Sequence, residues 1–145
     1  MYDQILLPTD GSDTADLAAE RAIDMAARDD ATLHVLYVAE KTREDPTQKG
    51  LEETLTTELS DGQKTVAAIE TRAGERGIEA ETTVTPGVPR TMIEQYADEH
   101  DVGLIVIGST GASGITEKLL GTVAKYVVNE APADVFVVRS DAVLT

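Results

Sequence analysis

Residues 108–122 read GSTGASGITEKLLGT, and this stretch connects an apolar run to a helical pattern. The apolar run is LIVI at residues 104–107, and the apolar positions after it follow helical spacing at Leu119, Leu120, Val123, Ala124, Val127 and Val128. The order is therefore strand, glycine-containing loop and helix. Glycine lets a ligand approach the main chain, and a helix N-terminus carries partial positive charge. The stretch predicts a phosphate-binding site.

The rest of the chain repeats the alternation of strand and helix. Strands are predicted over residues 4–7, 32–38, 79–85, 102–107 and 135–138, with helices over residues 13–28, 51–73, 89–100 and up to 130. Five alternations predict one domain over residues 1–145, with a parallel sheet covered by helices on both faces. In such sheets ligands bind beyond the carboxyl ends of the strands.

Local signals refine these boundaries. Pro8 is predicted to end the first strand, and the polar residues 39–48 are predicted to form a loop. Gly62 is a candidate position for a bend in the second helix. Residues 86–89 read PGVP and predict a turn, with Pro89 at the first helical position. The alternating third strand is expected at a sheet edge.

Composition narrows the class of protein. The 145 residues are 41% hydrophobic and 3% aromatic and include no cysteine, which excludes a disulfide scaffold and thiolate metal sites. The opening residues lack a basic signal region and no apolar run approaches a membrane span, so a cytoplasmic protein is expected. The formal net charge of −15 argues against nucleic acid or an anionic membrane as partner. It also suggests a surface suited to high salt.

Catalytic signatures are missing from the sequence. It contains neither the phosphate-loop nor the dinucleotide fingerprint, and neither H-E-x-x-H nor G-x-S-x-G. His34 and His100 have no recognisable nucleophile as partner and are expected to be structural or solvent-facing. We therefore predict no catalytic residues and no metal ligands.

Four motifs together resemble the universal stress protein family, in its nucleotide-binding subclass. They are the spacing Gly108-x2-Gly111-x9-Gly121-Thr122, the opening ILLPTDGS, the second-strand sequence LHVLYV and the closing APADVFVVR. The resemblance covers essentially the whole chain. It implies an α/β fold of the adenine nucleotide alpha hydrolase type, with five parallel strands in the order 3-2-1-4-5.

The resemblance also implies where an adenine nucleotide binds. Asp10 would contact the ribose or base region, with Pro8 and Thr9 beside it. Val38, at the end of the second strand, would hold adenine through its backbone. These residues form the first half of the implied site.

The second half of the implied site lies in the glycine stretch. Gly108 and Gly111 would admit the ribose and phosphates to the main chain. Gly121, Thr122 and Val123 would bind phosphates through backbone N–H groups and the threonine hydroxyl.

The glycine stretch departs from the family at three positions. Thr110 and Ala112 stand where family members often carry His and Arg, and Glu117 replaces a frequently basic residue. A divalent cation such as Mg²⁺ or Mn²⁺ would offset phosphate charge, and Lys118 would offset part of the effect of Glu117. The predicted affinity for ATP is lower than a basic loop would give.

The family resemblance implies an ATP-binding protein that acts as a nucleotide-dependent regulator in stress response. Two alternatives remain: a nucleotide-free dimeric interaction module of the same fold, and a slow ATPase. The apolar residues 135–138 predict an exposed edge strand, and pairing of this strand between two copies would form a homodimer.

Overall fold

The computed structural model describes residues 1–40, 48–110 and 120–139, with side chains described outside residues 48–54. Five parallel strands form one sheet in the order β3-β2-β1-β4-β5. They are β1 (Gln4–Thr9), β2 (Thr32–Glu40), β3 (Ala80–Gly87), β4 (Leu104–Gly108) and β5 (Asp134–Val138). The strand order 3-2-1-4-5 is confirmed.

In the part of the chain that the structure describes, four helices cover the two faces of the sheet. They are α1 (Asp13–Asp29), α2 (Gln48–Glu75), α3 (Pro89–Glu99) and α4 (Thr122–Glu130). The buried residues of α1 and α2 form one cluster with Leu33 and Val35 of β2, and those of α3 and α4 form another with Leu36. Alternate β2 residues therefore face opposite helix layers, as strand periodicity requires. Within the described residues, no helix has both the length and the apolar character needed to cross a membrane.

Pro8 lies inside β1, so the prediction that it ends the strand is wrong. Its Cα pairs with Leu36 of β2, whereas pairing between β1 and β4 is confined to Ile5 and Leu6. Pro8 thus lies beyond the paired part of β4. A proline is tolerated there because no ladder hydrogen bond toward β4 requires its missing N–H.

The second helix is longer than predicted and continues through Gly62. A Cβ built on Gly62 would lie 2.5 Å from Cδ1 of Tyr37, closer than real side chains allow. The glycine therefore permits close packing of α2 on β2, and it does not interrupt the helix. The predicted loop over residues 39–48 is also too long, because Ala39 and Glu40 belong to β2 and Gln48 belongs to α2. Residues 41–47 lie outside the described residues.

The two sheet edges are β3 and β5. The edge position of β3 agrees with the sequence prediction, but Pro86 and Gly87 extend this strand instead of forming the predicted turn. An edge strand accommodates proline because one of its sides has no strand partner. Pro89 begins α3, as predicted. On the opposite edge, Phe136 of β5 is 39% exposed.

Candidate functional site

A cleft opens at the carboxyl end of the sheet. It has a volume of about 430 Å³ and is lined by the ends of β1, β2 and β4 together with parts of α1, α2, α3 and α4. β1 lies between β2 and β4, so the connections from β1 and β4 lead to opposite faces. Ligands bind at this switch point in open parallel sheets, and the volume suits a small molecule.

The structure brings the predicted site residues that it describes to this one cleft. The lining includes Pro8, Thr9, Asp10, Val38, Gly108, Gly121, Thr122 and Val123. Gly111 lies outside the described residues, as do Ala112, Glu117 and Lys118. Sequence reasoning therefore identified segments that are far apart in the chain and adjacent in the fold.

The turn after β1 is held by its own side chains. Oδ1 of Asp10 accepts a hydrogen bond from the N–H of Ser12 at 2.9 Å, and Oγ1 of Thr9 accepts one from Gly11 at 3.2 Å. Gly11 has a φ of 80°, which glycine adopts without strain. The N-cap of α1 is Ser12, whose Oγ accepts from Ala15. Asp10 is thus not the cap of α1; it shapes the turn at the mouth of the cleft.

Gly108 has a packing reason to be glycine. A Cβ at this position would lie 2.9 Å from Cγ2 of Thr14 and 3.2 Å from its carbonyl carbon. The close approach brings the end of β4 against the first turn of α1. The hydroxyls of Thr14 and Thr110 lie 3.3 Å apart beside it. Gly108 therefore joins two elements of the cleft wall by close contact.

The N-terminus of α4 forms a second wall. Gly121 is the N-cap and has no side-chain capping hydrogen bond. Its N–H donates to the carbonyl of Ser109 at 2.6 Å, and its own carbonyl accepts from Lys125 at 2.9 Å. The N–H groups of residues 122–124 come before the first N–H that bonds within the helix, so they have no helical acceptor. These three residues line the cleft. Such a helix start attracts anions.

Ser109 is a lining residue that the sequence predictions did not name. It is 1% exposed, and its Oγ has no hydrogen-bond partner among the described residues. A buried polar atom without a partner costs about 1–3 kcal/mol, so its presence in a cleft calls for an explanation. The available sequence signal was a hydroxyl residue directly after a buried apolar strand.

Three carboxylates line the cleft. Asp10 lies after β1, Glu40 ends β2 and Glu58 belongs to α2. No Lys, Arg or His occurs among the described residues that line it. Burial raises the pKa of Tyr37, and the negative charges of Glu58, Asp61 and Asp10 raise it further. The electrostatic potential on this side of the cleft is therefore negative.

Glu40 and Glu58 were also missed by sequence reasoning. Glu40 fell in the segment predicted to be a loop, although it ends β2. Glu58 occupies an exposed-looking position on an amphipathic helix, and only the packing of α2 against β2 brings it to the cleft. No periodicity in the sequence carries that information.

The two histidines lie at the amino end of the sheet, away from the cleft. His34 is 2% exposed; its Nδ1 lies 2.7 Å from the hydroxyl of Tyr96 and 3.2 Å from Oε2 of Glu81, and its Nε2 lies 2.5 Å from Oε1 of Gln4. His100 stacks on Tyr96 with ring centroids 3.8 Å apart. Burial lowers the pKa of His34, and the charge of Glu81 opposes that shift. His34 thus joins β1, β2 and α3.

The described lining of the cleft combines several kinds of group that can contact a small molecule. Among the described residues, no group of three or more His, Asp or Glu could hold a metal ion. The arrangement offers backbone N–H donors and hydroxyls on one side, carboxylate acceptors on the other, and apolar contacts from Leu36, Ile93 and Ile107. This combination suits an amphipathic small molecule with an anionic end.

Comparisons with known proteins agree with the architecture. The family model for the universal stress protein family matches residues 1–139. A universal stress protein of Methanocaldococcus jannaschii is 35% identical over 143 residues, covering 96% of this chain and 83% of that protein.

Solved structures are similar over nearly the full length. The universal stress protein UspA from Lactobacillus plantarum has a TM-score of 0.88 and 32% identity, covering 95% of this chain and 98% of that one. A universal stress protein solved in complex with cAMP has a TM-score of 0.67 and 27% identity, covering 94% and 97%. The motifs, the strand order and these matches agree, and the chain belongs to the universal stress protein family.

Proposed function

We propose that this protein binds an adenine nucleotide in the cleft at the carboxyl end of the sheet. The observation that carries the proposal is the meeting of the β1, β2 and β4 ends with the N-terminus of α4 around a cavity of about 430 Å³. The related protein solved with cAMP supports an adenine-containing ligand.

In the proposed arrangement the two ends of the nucleotide meet different chemistry. Adenine lies against the backbone of Val38, and the ribose hydroxyls donate to the carboxylate of Asp10. The phosphates accept from the N–H groups of Thr122 and Val123 and from the hydroxyl of Thr122. The N–H of Gly121, which the sequence also assigned to phosphate, is not among these donors because it donates to the carbonyl of Ser109. Helix N-termini favour such anions because their first N–H groups lack helical partners.

ATP accompanied by Mg²⁺ or Mn²⁺ is the form that the family resemblance suggests. A divalent cation supplies positive charge and coordinates phosphate oxygens. The cation would attract both the carboxylates of the cleft and the phosphates. Binding of nucleotide would then serve as the signal of a regulator in stress response.

Adenosine binding to an Asp10→Asn variant tests this proposal. Asn retains an Oδ1 that can accept from Ser12, so the turn is kept while the negative charge is removed. Hydrogen bonds to charged groups contribute about 1.5–3 kcal/mol and neutral ones about 0.5–1.5, so we expect affinity for adenosine to fall roughly tenfold. Asp13→Asn is the control, because Asp13 is exposed outside the cleft. Equal affinities of the two variants would contradict the proposed ribose contact.

We also propose a homodimer in which β5 pairs with β5 of a second copy through residues 135–138. β5 is a sheet edge whose Phe136 is 39% exposed, and Val128 of α4 is 46% exposed. Exposed apolar edges are commonly covered by a further strand.

A nucleotide-free dimeric interaction module is the second candidate function. The negative potential of the cleft favours it, because three lining carboxylates oppose an anionic ligand. Calorimetric titration with ATP and Mg²⁺ at molar KCl distinguishes the candidates. Binding heat supports the nucleotide-dependent regulator, and absence of heat with a persistent dimer supports the module. If ATP binds, product formation over hours tests whether it is slowly hydrolysed.

A further inference from the structure

His34 lies where two neighbouring strands and a helix meet at the amino end of the sheet. It belongs to β2, where its Cα pairs with Leu6 of β1 on one side and with Glu81 of β3 on the other. Its side chain points to the face covered by α3, as that of Leu36 does two residues later. The residue is 2% exposed. A buried titratable ring therefore faces groups from β1, β3 and α3.

The two nitrogens of this ring have three partners. Nε2 lies 2.5 Å from Oε1 of Gln4, while Nδ1 lies 2.7 Å from the hydroxyl of Tyr96 and 3.2 Å from Oε2 of Glu81. Neutral imidazole has one N–H donor and one acceptor nitrogen, whereas imidazolium has two donors. An amide oxygen and a carboxylate can only accept hydrogen bonds. The neutral ring therefore cannot donate to both Gln4 and Glu81.

In its neutral form the ring is satisfied by Gln4 and Tyr96. Nε2–H donates to Oε1 of Gln4, which leaves Nδ1 free to accept from the hydroxyl of Tyr96. Burial raises the pKa of Tyr96 despite an opposing hydrogen bond from Thr83, so the hydroxyl keeps its proton and can donate. The side chain of Glu81 is 55% exposed, so water can solvate its carboxylate in this state.

Protonation turns Nδ1 into a donor, and this nitrogen can then no longer accept from Tyr96. The carboxylate of Glu81 is within reach, and a hydrogen bond between two ionised groups is stronger than one to a neutral hydroxyl. Burial lowers the pKa of His34 most; Glu81 raises it, His100 lowers it further and Glu79 raises it more weakly. The contact from β1 is a neutral amide. The charges around the ring therefore direct the protonated nitrogen toward β3.

We propose that His34 is a proton-operated switch: its neutral ring binds Tyr96 of α3, and its protonated ring releases Tyr96 and binds Glu81 of β3. The exchange takes place below the ordinary histidine pKa of about 6.5, because burial disfavours the charged ring. The switch is a property of the folded chain and does not depend on nucleotide binding.

The release loosens the C-terminal half of α3, which loses a polar contact with β2. The middle of this helix stays attached to α4, because the hydroxyl of Tyr126 donates to Oε2 of Glu94 at 2.7 Å. α3 also contributes Pro89 and Ile93 to the lining of the cleft. The helix that the switch releases is therefore one of the elements that form the cleft wall.

The position of the proton on the neutral ring tests the switch directly. In protein labelled with ¹⁵N at histidine, the ring chemical shifts of His34 should place the proton on Nε2 at about pH 7.5 and on both nitrogens after acidification. The chain has two histidines, so His100→Gln assigns the signals. A neutral ring that carries its proton on Nδ1 would overturn the proposal, because that nitrogen could not accept from Tyr96.

Two substitutions should move the pKa of His34 in opposite directions. Tyr96→Phe removes a donor to the neutral ring, so the pKa should rise by roughly half a pH unit to one pH unit. Glu81→Gln removes the anionic partner of the charged ring, so the pKa should fall by roughly 0.2–0.7 pH units. Glu79→Gln is the matched control, because the charge of Glu79 acts on His34 more weakly, and it should give a smaller fall.

A fall in the pKa of His34 in Tyr96→Phe would overturn the proposal, since it would mean that the hydroxyl binds the charged ring. Equal shifts in Glu81→Gln and Glu79→Gln would also overturn it, because the charged ring would then have no specific bond to Glu81. Glu81 is exposed, so its variant keeps the test available even if Tyr96→Phe does not fold.

Hydrogen exchange measures the release of α3. Protection of the amides of residues 97–100, corrected for intrinsic rates and compared with that of α4, should fall roughly two- to tenfold when His34 is protonated. In Tyr96→Phe this relative protection should already be low when His34 is neutral. Both pH values are chosen where circular dichroism shows the protein folded. Unchanged relative protection in the wild type would overturn the release of α3.

Discussion

Gly62 of α2 faces the ring of Tyr37 of β2 so closely that a Cβ on the glycine would lie 2.5 Å from Cδ1 and 2.9 Å from Cγ. These atoms belong to the fixed part of a buried ring, so the side chain has little room to retreat. Glycine in a helix is less favourable than alanine by about 1 kcal/mol, and here it permits the close packing of α2 on β2.

Gly62→Ala should therefore destabilise the protein even though alanine favours helix. Overpacking costs about 1–3 kcal/mol, which exceeds the propensity gain at the upper end of that range, and the unfolding free energy in urea should fall. Gly74→Ala on the same helix is the control, because an added Cβ there meets nothing within 4 Å. That variant should be as stable as the wild type or slightly more. A gain in stability for Gly62→Ala would contradict the packing argument.

Ser109→Ala should separate stability from binding. Removing a buried hydroxyl that has no partner among the described residues relieves a cost of about 1 kcal/mol, so the unfolding free energy of the ligand-free protein should rise. If the hydroxyl donates to the phosphate proposed at the start of α4, AMP affinity should fall several-fold while adenosine affinity is kept. Urea unfolding and calorimetry measure the two quantities. Loss of stability without a change in AMP affinity would show that Ser109 is purely structural.

Stability should decrease as the pH falls through the range in which His34 titrates. Burial lowers the pKa of His34, reinforced by His100 and opposed by Glu81 and Glu79. The unfolded chain gains a proton near pH 6.5, whereas the folded chain gains it only at lower pH. Unfolding free energy is then greatest above about pH 6.5 and is lost progressively between that pH and the lower pKa of the folded state.

His34→Gln should flatten this part of the pH profile, measured as the slope of unfolding free energy between about pH 5.5 and 7, near the ordinary histidine pKa. The slope is the readout because the variant also loses hydrogen bonds and so loses stability at every pH. His100→Gln should retain most of the slope, since His100 is exposed. An identical slope in wild type and His34→Gln would contradict the prediction.

The negative surface predicts salt-dependent stability. The formal net charge is −15, and repulsion among exposed carboxylates is screened when ionic strength rises. The thermal midpoint should therefore increase substantially between low and molar KCl. A thermal midpoint that does not change with KCl concentration, at matched pH and protein concentration, would contradict the prediction of a surface suited to high salt.

The β5 edge predicts the oligomeric state. Light scattering should give about 31 kDa, twice the chain mass of 15.4 kDa, if two copies pair through this edge. Phe136→Asp should shift the population to monomers, because a charged side chain opposes burial of the edge. Val88→Asp is the control, since Val88 is 52% exposed on the other side of the sheet, next to β3. A monomeric wild type would contradict the dimer.

The parallel sheet was accessible from the sequence because strands and helices alternate. The strand order came from the four motifs that resemble one family. The cleft was accessible because turns after parallel strands meet at one edge of the sheet, which brings Asp10, Val38 and Gly108 together. The position of Gly121 came from the family resemblance.

The sequence predictions were wrong where tertiary contacts outweigh the local preference of a residue. Judged by residue type alone, Pro8 and Gly62 would each interrupt a strand or helix. In the structure Pro8 lies beyond the pairing of β1 with β4, and Gly62 packs against the ring of Tyr37, so neither residue does so.

The other two carboxylates of the cleft, Glu40 and Glu58, could not be predicted in the same way. Glu58 shares its helical pattern with other exposed acids of α2, and its place in the cleft depends on how far that helix extends along β2. Ser109 likewise looked like an ordinary residue of a loop. Burial without a partner is a property of three-dimensional surroundings, which the residue type does not encode.

The hydrogen bonds of the Ser109 peptide have a consequence for this edge of the cleft. Its N–H donates to the carbonyl of Val138 at 2.8 Å, and its carbonyl accepts from Gly121 at 2.6 Å. The chain between Ser109 and Gly121 is therefore closed at its base by contacts that do not involve the intervening residues. The same two hydrogen bonds tie the end of β4 to the end of β5 and to the N-cap of α4, so one peptide group sets the register of three elements at this edge of the cleft.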